Sequence, residues 1–202
     1  MLEKDTFKTI SKPAQGDIYK DKNSKFYGYS FPVTNENDIK NHLETLRKEH
    51  HSARHWCYAY QIGTETISYR TNDDGEPSNS AGIPIYGQIQ AFEVTNILIV
   101  VVRYYGGTKL GVRGLINAYR TSAKLALESA DIIKETINLL FRLNFKYKDM
   151  GKVMRILKEN RVNIINQKLE HDCVLEISVR KGDGSKILQY FKDSFGIEID
   201  EL

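Results

Sequence analysis

A chain of 202 residues, 41% hydrophobic and 27% charged, has enough apolar side chain to bury a core, which excludes a disordered chain by composition. A formal charge of +3 permits contact with nucleic acid without demanding it. The longest apolar run, Ile97 to Val102, is far shorter than a membrane span of roughly 20 residues and no secretory leader pattern opens the chain, so a cytoplasmic protein is expected. Cys57 and Cys173 have no metal-type spacing and are expected as free thiols.

In chain order, Thr6 to Val33 carries aromatic runs broken by Pro13, Gly16 and Asn23, which predicts two or three antiparallel strands. Asn35 is placed to cap a helix in which Ile39, Leu43 and Leu46 share a face up to His50-His51. Trp56 to Ile62 and Thr66 to Tyr69 read as strands around Gly63. The loop Asn72-Asp73-Asp74-Gly75-Glu76-Pro77 follows, then a short helix with Ser80 as its cap and Pro84 in its first turn.

Ile97 to Val102 is apolar at every position, the pattern of a strand covered on both faces. Beyond Gly106-Gly107, a helix over Val112 to Ala130 places Leu115, Tyr119 and Ala123 on one side and Arg113, Asn117, Arg120 and Lys124 on the other. The charged stretch Asp131 to Thr136 marks a boundary, giving domains 1–134 and 135–202. The second reads β-α-β-β-α-β: Ile137 to Phe145, Lys148 to Asn160, Val162 to Leu169, Cys173 to Arg180, Ser185 to Phe195 and Gly196 to Asp200. The fold class is α+β, with a ferredoxin-like second domain.

Three groups could carry chemistry. Arg103 to Gly114 ends a strand in glycines and opens a helix. Backbone N–H groups at Gly106, Gly107 and Gly111, beside Arg103, Lys109 and Arg113, would suit an anion. Glycines at 106, 107, 111 and 114 without a Lys-Ser/Thr pair match neither nucleotide fingerprint, and they equally suit a tight turn with close helix packing. Asp73, Asp74 and Glu76 could bind a cation, act as acid or base, or pair with Arg103, while Asp-Gly before Pro is also a sufficient turn. His55 and Cys57, near His51, lie two apart on a strand and share a face. They could form a nucleophile pair or half a metal site, or a buried thiol beside a hydrogen-bonded imidazole. His42, His50 and His171 are read as isolated surface residues. No cofactor and no metal are expected.

Asp73 to Pro77, Ala81-Gly82 with Pro84, Arg103 to Gly107, Leu110-Gly111, Gly114-Leu115 and Ala118-Tyr119 together resemble the IMPACT/YigZ family over about Asp17 to Ala130. The second domain is similar to the smaller C-terminal domain of the bacterial members. The resemblance implies a first domain like the second domain of a small-subunit ribosomal protein and elongation factor G domain IV, then one like domain V of that factor. It also implies a ribosomal or RNA partner or a translation-related protein, since eukaryotic members regulate translation, and it brings no defined catalytic activity. Asn79, Ile83, and Arg113 with Asn117 depart from the family pattern, relocating positive charge rather than removing it.

The leading expectation is therefore a translation-associated regulatory protein that contacts RNA or the ribosome through Arg103, Gly106, Gly107, Lys109, Gly111, Arg113, Arg120 and Lys124. One alternative is an enzyme for a small acidic or phosphorylated metabolite, with His55, Cys57, Asp74 and Glu76 at its site. The other is a protein-interaction module that uses the C-terminal sheet.

Overall fold

In the computed structural model, which describes residues 5–202, the chain divides into a larger unit, Phe7–Glu135, and a smaller one, Thr136–Leu202, which Asp5 and Thr6 join. The larger unit runs β1 (Thr6–Ile10), β2 (Ala14–Gln15), β3 (Tyr19–Asp21), β4 (Ser24–Pro32), α1 (Glu36–Glu49), β5 (His55–Ile62), β6 (Ser68–Asn72), α2 (Gly82–Ala91), β7 (Ile97–Tyr104), α3 (Gly111–Glu128) and β8 (Ile132–Thr136).

Six of these strands form one antiparallel sheet in the order β2-β4-β7-β5-β6, with β3 also paired to β4. β7 lies at its centre, as its unbroken apolar run requires. Ile97, Ile99 and Val101 meet α2 and α3 on one face, and Leu98, Val100 and Val102 meet α1 on the other. The opening segment is thus more divided than two or three strands in succession. β2, β3 and β4 join the sheet, whereas β1 pairs with β8, so the charged stretch read as a boundary is itself a strand.

α1 is capped as its sequence predicts, with Asn35 Oδ1 accepting from the Asn37 and Asp38 amides at 2.9 and 3.0 Å. Two histidines expected on the surface are instead partly buried against the aromatic residues of β4. The His42 ring stacks on Phe31 with centroids 4.2 Å apart. His50, which ends α1, bridges the Tyr29 hydroxyl at 2.7 Å and the Tyr104 hydroxyl at 2.9 Å. Burial holds both imidazoles below their ordinary pKa, because it disfavours the charged ring.

α3 packs against β4 closely enough to require glycine. A Cβ on Gly28 would lie 2.3 Å from the carbonyl oxygen of Ser122.

The smaller unit runs β9 (Asn138–Lys146), a 3-10 turn (Tyr147–Asp149), α4 (Met150–Glu159), β10 (Asn163–Lys168), β11 (Asp172–Arg180), α5 (Lys181–Lys192) and β12 (Ile197–Glu201). The order β10-β11-β9-β12, antiparallel throughout, is the ferredoxin-like arrangement. α5 begins at Lys181, four residues before the expected Ser185, since Gly182 and Gly184 are accommodated in its first turns. One sheet face buries Phe141, Leu143, Leu175 and Ile177 beneath the helices, while the other carries the Arg142–Glu176 pair and the ion pair of Lys146 with Asp172.

Gly28→Ala should lower unfolding stability by about 1–3 kcal/mol through overpacking, whereas Gly87→Ala, which meets nothing within 4 Å on α2, should raise it by roughly 0.5–1 kcal/mol. Urea titration of both variants checks the contrast. Burial pushes the Tyr29 phenol up to about 12. The native state therefore keeps this proton above the unfolded value of about 10, and the contribution is complete below that pH and lost as pH rises towards about 12. Urea midpoints measured across that window should fall more steeply for the native sequence than for Tyr29→Phe.

Candidate functional site

The loop after β6 and the turn after β7 come together at the start of α3. Each acidic side chain of the loop has a different partner. Asp73 Oδ1 accepts from the Ala81 and Gly82 amides at 2.9 and 2.8 Å, and its Oδ2 accepts from the Asn79 amide at 2.8 Å. Asp73 therefore serves as the cap of α2, where a carboxylate opposes the positive end of the helix dipole. Ser80, the expected cap, is buried and donates its hydroxyl to the Pro77 carbonyl at 2.6 Å. Asp74 accepts from the Trp56 amide at 2.7 Å and lies 3.6 Å from Arg47.

Glu76 turns inward. Its Oε1 accepts from Arg103 Nη1 at 2.5 Å and from the Tyr119 hydroxyl at 2.7 Å, and the acid and guanidinium side chains are only 4% and 5% exposed. Arg103, placed among the anion-contacting residues by its sequence position, is thus the buried counter-ion of Glu76 and is absent from the outer surface. Its Nη2 also donates to Ser24 Oγ at 3.4 Å, and its Nε–H is buried without a hydrogen-bond partner among the described residues.

His55 and Cys57 lie beside this pair, but each is held by backbone. His55 Nδ1 donates to the Asp74 carbonyl at 2.8 Å, leaving Nε2 3.9 Å from Glu76. Cys57 is fully buried and its thiol donates to the Asp73 carbonyl at 2.9 Å. Burial pushes the thiol pKa well above its ordinary value, with Tyr119 opposing and the nearby acids reinforcing that shift. A thiol held protonated in this way is not an activated nucleophile. The Tyr119 phenol is likewise pushed far up by burial, so it remains a donor to Glu76. The carboxylates diverge, and among the described residues no group of three or more His, Cys, Asp and Glu is placed to hold a metal ion.

The glycines of the turn differ in role. The Gly106 amide donates to Ser24 Oγ at 3.1 Å, and a Cβ there would lie 2.1 Å from the Asn23 carbonyl carbon. That amide is already engaged and cannot serve an anion. Gly107 and Gly111 have left-handed backbones with φ of 84° and 74° and stand in open space. Gly111 begins α3, whose first turn has no side-chain cap and no acidic residue, so its amides are unopposed by side chains. Lys109, Arg113, Arg120 and Lys124 are all exposed. Lys124 pairs with Glu128 at 3.4 Å, whereas no ion pair among the described residues engages the other three.

The β3-β4 hairpin adds Lys20, Lys22 and Lys25, all exposed, which no motif in the sequence marks. It is tied to α3 by the Asn117 to Tyr19 hydrogen bond at 3.2 Å. Lys22 and Asn23 both take positive φ in its two-residue turn, and Lys-Asn is a weaker signal for that turn than Asn-Gly. Between the Glu76–Pro77 segment and the start of α3 lies a cleft of about 310 Å³.

A six-stranded antiparallel sheet between helices, an acidic loop clasped to a glycine turn and a separate ferredoxin-like unit define a two-unit α+β protein. The Impact N-terminal domain matches residues 22–127, and the chain belongs to the IMPACT family. It is 31% identical over 153 residues to IMPACT family member YvyE of Bacillus subtilis, covering 76% of this chain and 70% of that one. It is 33% identical over 139 residues to IMPACT family member YigZ of Escherichia coli, covering 68% of each. A crystal structure described as that of a hypothetical protein aligns with a TM-score of 0.74 at 26% identity, over 98% of both chains.

Removing one member of the buried pair strands the other. Arg103→Met should cost about 3–5 kcal/mol in a urea titration, and Glu76→Leu combined with Arg103→Met should recover a large part of that loss.

Proposed function

We propose that this protein is a translation-associated binding protein that contacts RNA through the exposed basic face of α3. The observation that carries the reading is the row of Lys109, Arg113 and Arg120, exposed and without ion pairs among the described residues, running from an uncapped helix start. A cation lacking an acidic neighbour keeps its field for an outside anion, and an open first turn adds N–H donors to it. Lys22, in the turn of the hairpin that packs on α3, adjoins this edge, whereas Lys20 and Lys25 alternate with Tyr19 and Phe26 and so lie on the sheet face opposite α3. Direct anion contact is assigned to side chains and to the amides of the first turn of α3, since Arg103 and the Gly106 amide are already engaged.

The translation context rests on the family, whose eukaryotic members regulate translation. The structure around Cys57 supports binding over catalysis, for the thiol is buried, protonated and tied to backbone. Cosedimentation with ribosomes and with single-stranded RNA at increasing salt tests the surface. Phosphate contacts release counterions, so Lys109→Glu with Arg113→Glu should weaken binding and reduce the log–log salt slope by about one unit for each phosphate no longer neutralised. Lys48→Glu, on α1 across the sheet, should leave both quantities unchanged. Unchanged cosedimentation of the double variant at low salt would sink this surface.

A further inference from the structure

Phosphate contact along α3 makes no use of the cleft beside it. That cleft has apolar walls, formed by Leu110, Leu115, Val112 and the Tyr105 ring, the last two 52% and 43% exposed. Its base is polar, where the nearly buried Glu76 and Arg103 side chains meet. Both hydrogen bonds to the Glu76 carboxylate go to Oε1, and Oε2 accepts none among the described residues. Arg103 Nε–H beside it is buried and unpartnered, a state that costs free energy until a ligand supplies an acceptor. Lys109 and Gly111, which opens the uncapped first turn of α3, also line the cleft.

A bare phosphate would need no apolar walls. An acyl chain would need no donor and acceptor at the base. A ligand that suits all three parts is planar and apolar on its faces, carries hydrogen-bonding groups on one edge, and bears an anion within reach. We infer that the cleft takes the base of a nucleotide against Tyr105, its polar edge turned to Glu76 and Arg103 and its phosphate met by Lys109 and the α3 amides. The nucleotide is either free or an unpaired residue of an RNA strand, and only the second source rests on the RNA-binding function proposed for α3. Stacking on an aromatic ring tolerates every base, so Glu76 and Arg103 supply what base preference there is.

The test titrates the full chain with the four nucleoside monophosphates, with inorganic phosphate, and with a short single-stranded RNA carrying 2-aminopurine at one position. Base insertion should quench the 2-aminopurine fluorescence. Tyr105→Ala should weaken nucleotide or RNA binding on the order of tenfold and remove the quench, with the RNA salt slope unaltered because the phosphate contacts remain. Val112→Phe, which fills the cleft from its exposed wall without adding charge, should have the same effect, and thermal melts of both variants check that the fold persists. Monophosphate binding that depends on Tyr105, with no RNA binding, supports the cleft with a free nucleotide as its ligand and overturns the RNA surface. RNA binding without quenching and indifferent to Tyr105 overturns the cleft and leaves the surface standing. Inorganic phosphate binding as tightly as the nucleotides overturns the base-binding assignment, and no binding of any probe overturns both.

Discussion

The ion pair between Glu76 and Arg103 is the contact on which the acidic loop and the start of α3 in the larger unit depend. It joins the end of the central strand β7 to the loop after β6, and Tyr119 brings α3 onto the same carboxylate. Two charges this far from water must satisfy one another, because desolvation of either alone would exceed what the surrounding packing returns. The position of the acidic loop is therefore set by Arg103, and with it the placement of Asp73 at the start of α2 and of Pro77 beside the cleft.

This arrangement separates charges that adjacency in sequence would group together. Arg103 and Lys109 are six residues apart, yet one is a buried counter-ion and the other a solvated cation. The separation follows from burial, since Arg103 is aimed inward at its acid while Lys109 stays in solvent. The arrangement also gives the thiol, the imidazole and the three carboxylates gathered in this region separate partners. Each is bonded to backbone or to a fixed counter-charge.

Much of the architecture is visible in the sequence because it rests on periodicity. The unbroken apolar run of β7 demands cover on both faces, Asn35 caps α1 as its type and position suggest, and the alternation after residue 137 gives the ferredoxin-like order. What periodicity leaves out is pairing at long range. β8 looks like a charged linker because its exposed residues Lys134 to Thr136 dominate its composition, and only β1, more than a hundred residues earlier, makes it a strand. Asp73 displaces Ser80 as the cap because a charge nine residues upstream folds back onto the helix start. His50 becomes a bridge between Tyr29 and Tyr104 for the same reason, since neither tyrosine is near it in sequence. In the site, the exposed cations of α3 are legible from helical spacing, whereas the direction in which Arg103 points depends on where Glu76 arrives.

The pairing of β1 with β8 has a consequence for the order in which the chain can fold. The Asp5 carbonyl accepts from the Ile137 amide at 2.8 Å and the Asp5 carboxylate holds Arg180, while the residues just after it belong to the larger unit. This early segment must therefore wait for the last strand of one unit and for the end of β11 in the other before its own contacts can form. The smaller unit is not one continuous stretch of chain, and the larger one closes β1 on β8 only after everything between them has been made. Both closures span more than a hundred residues, a separation that loop-closure entropy places late in folding.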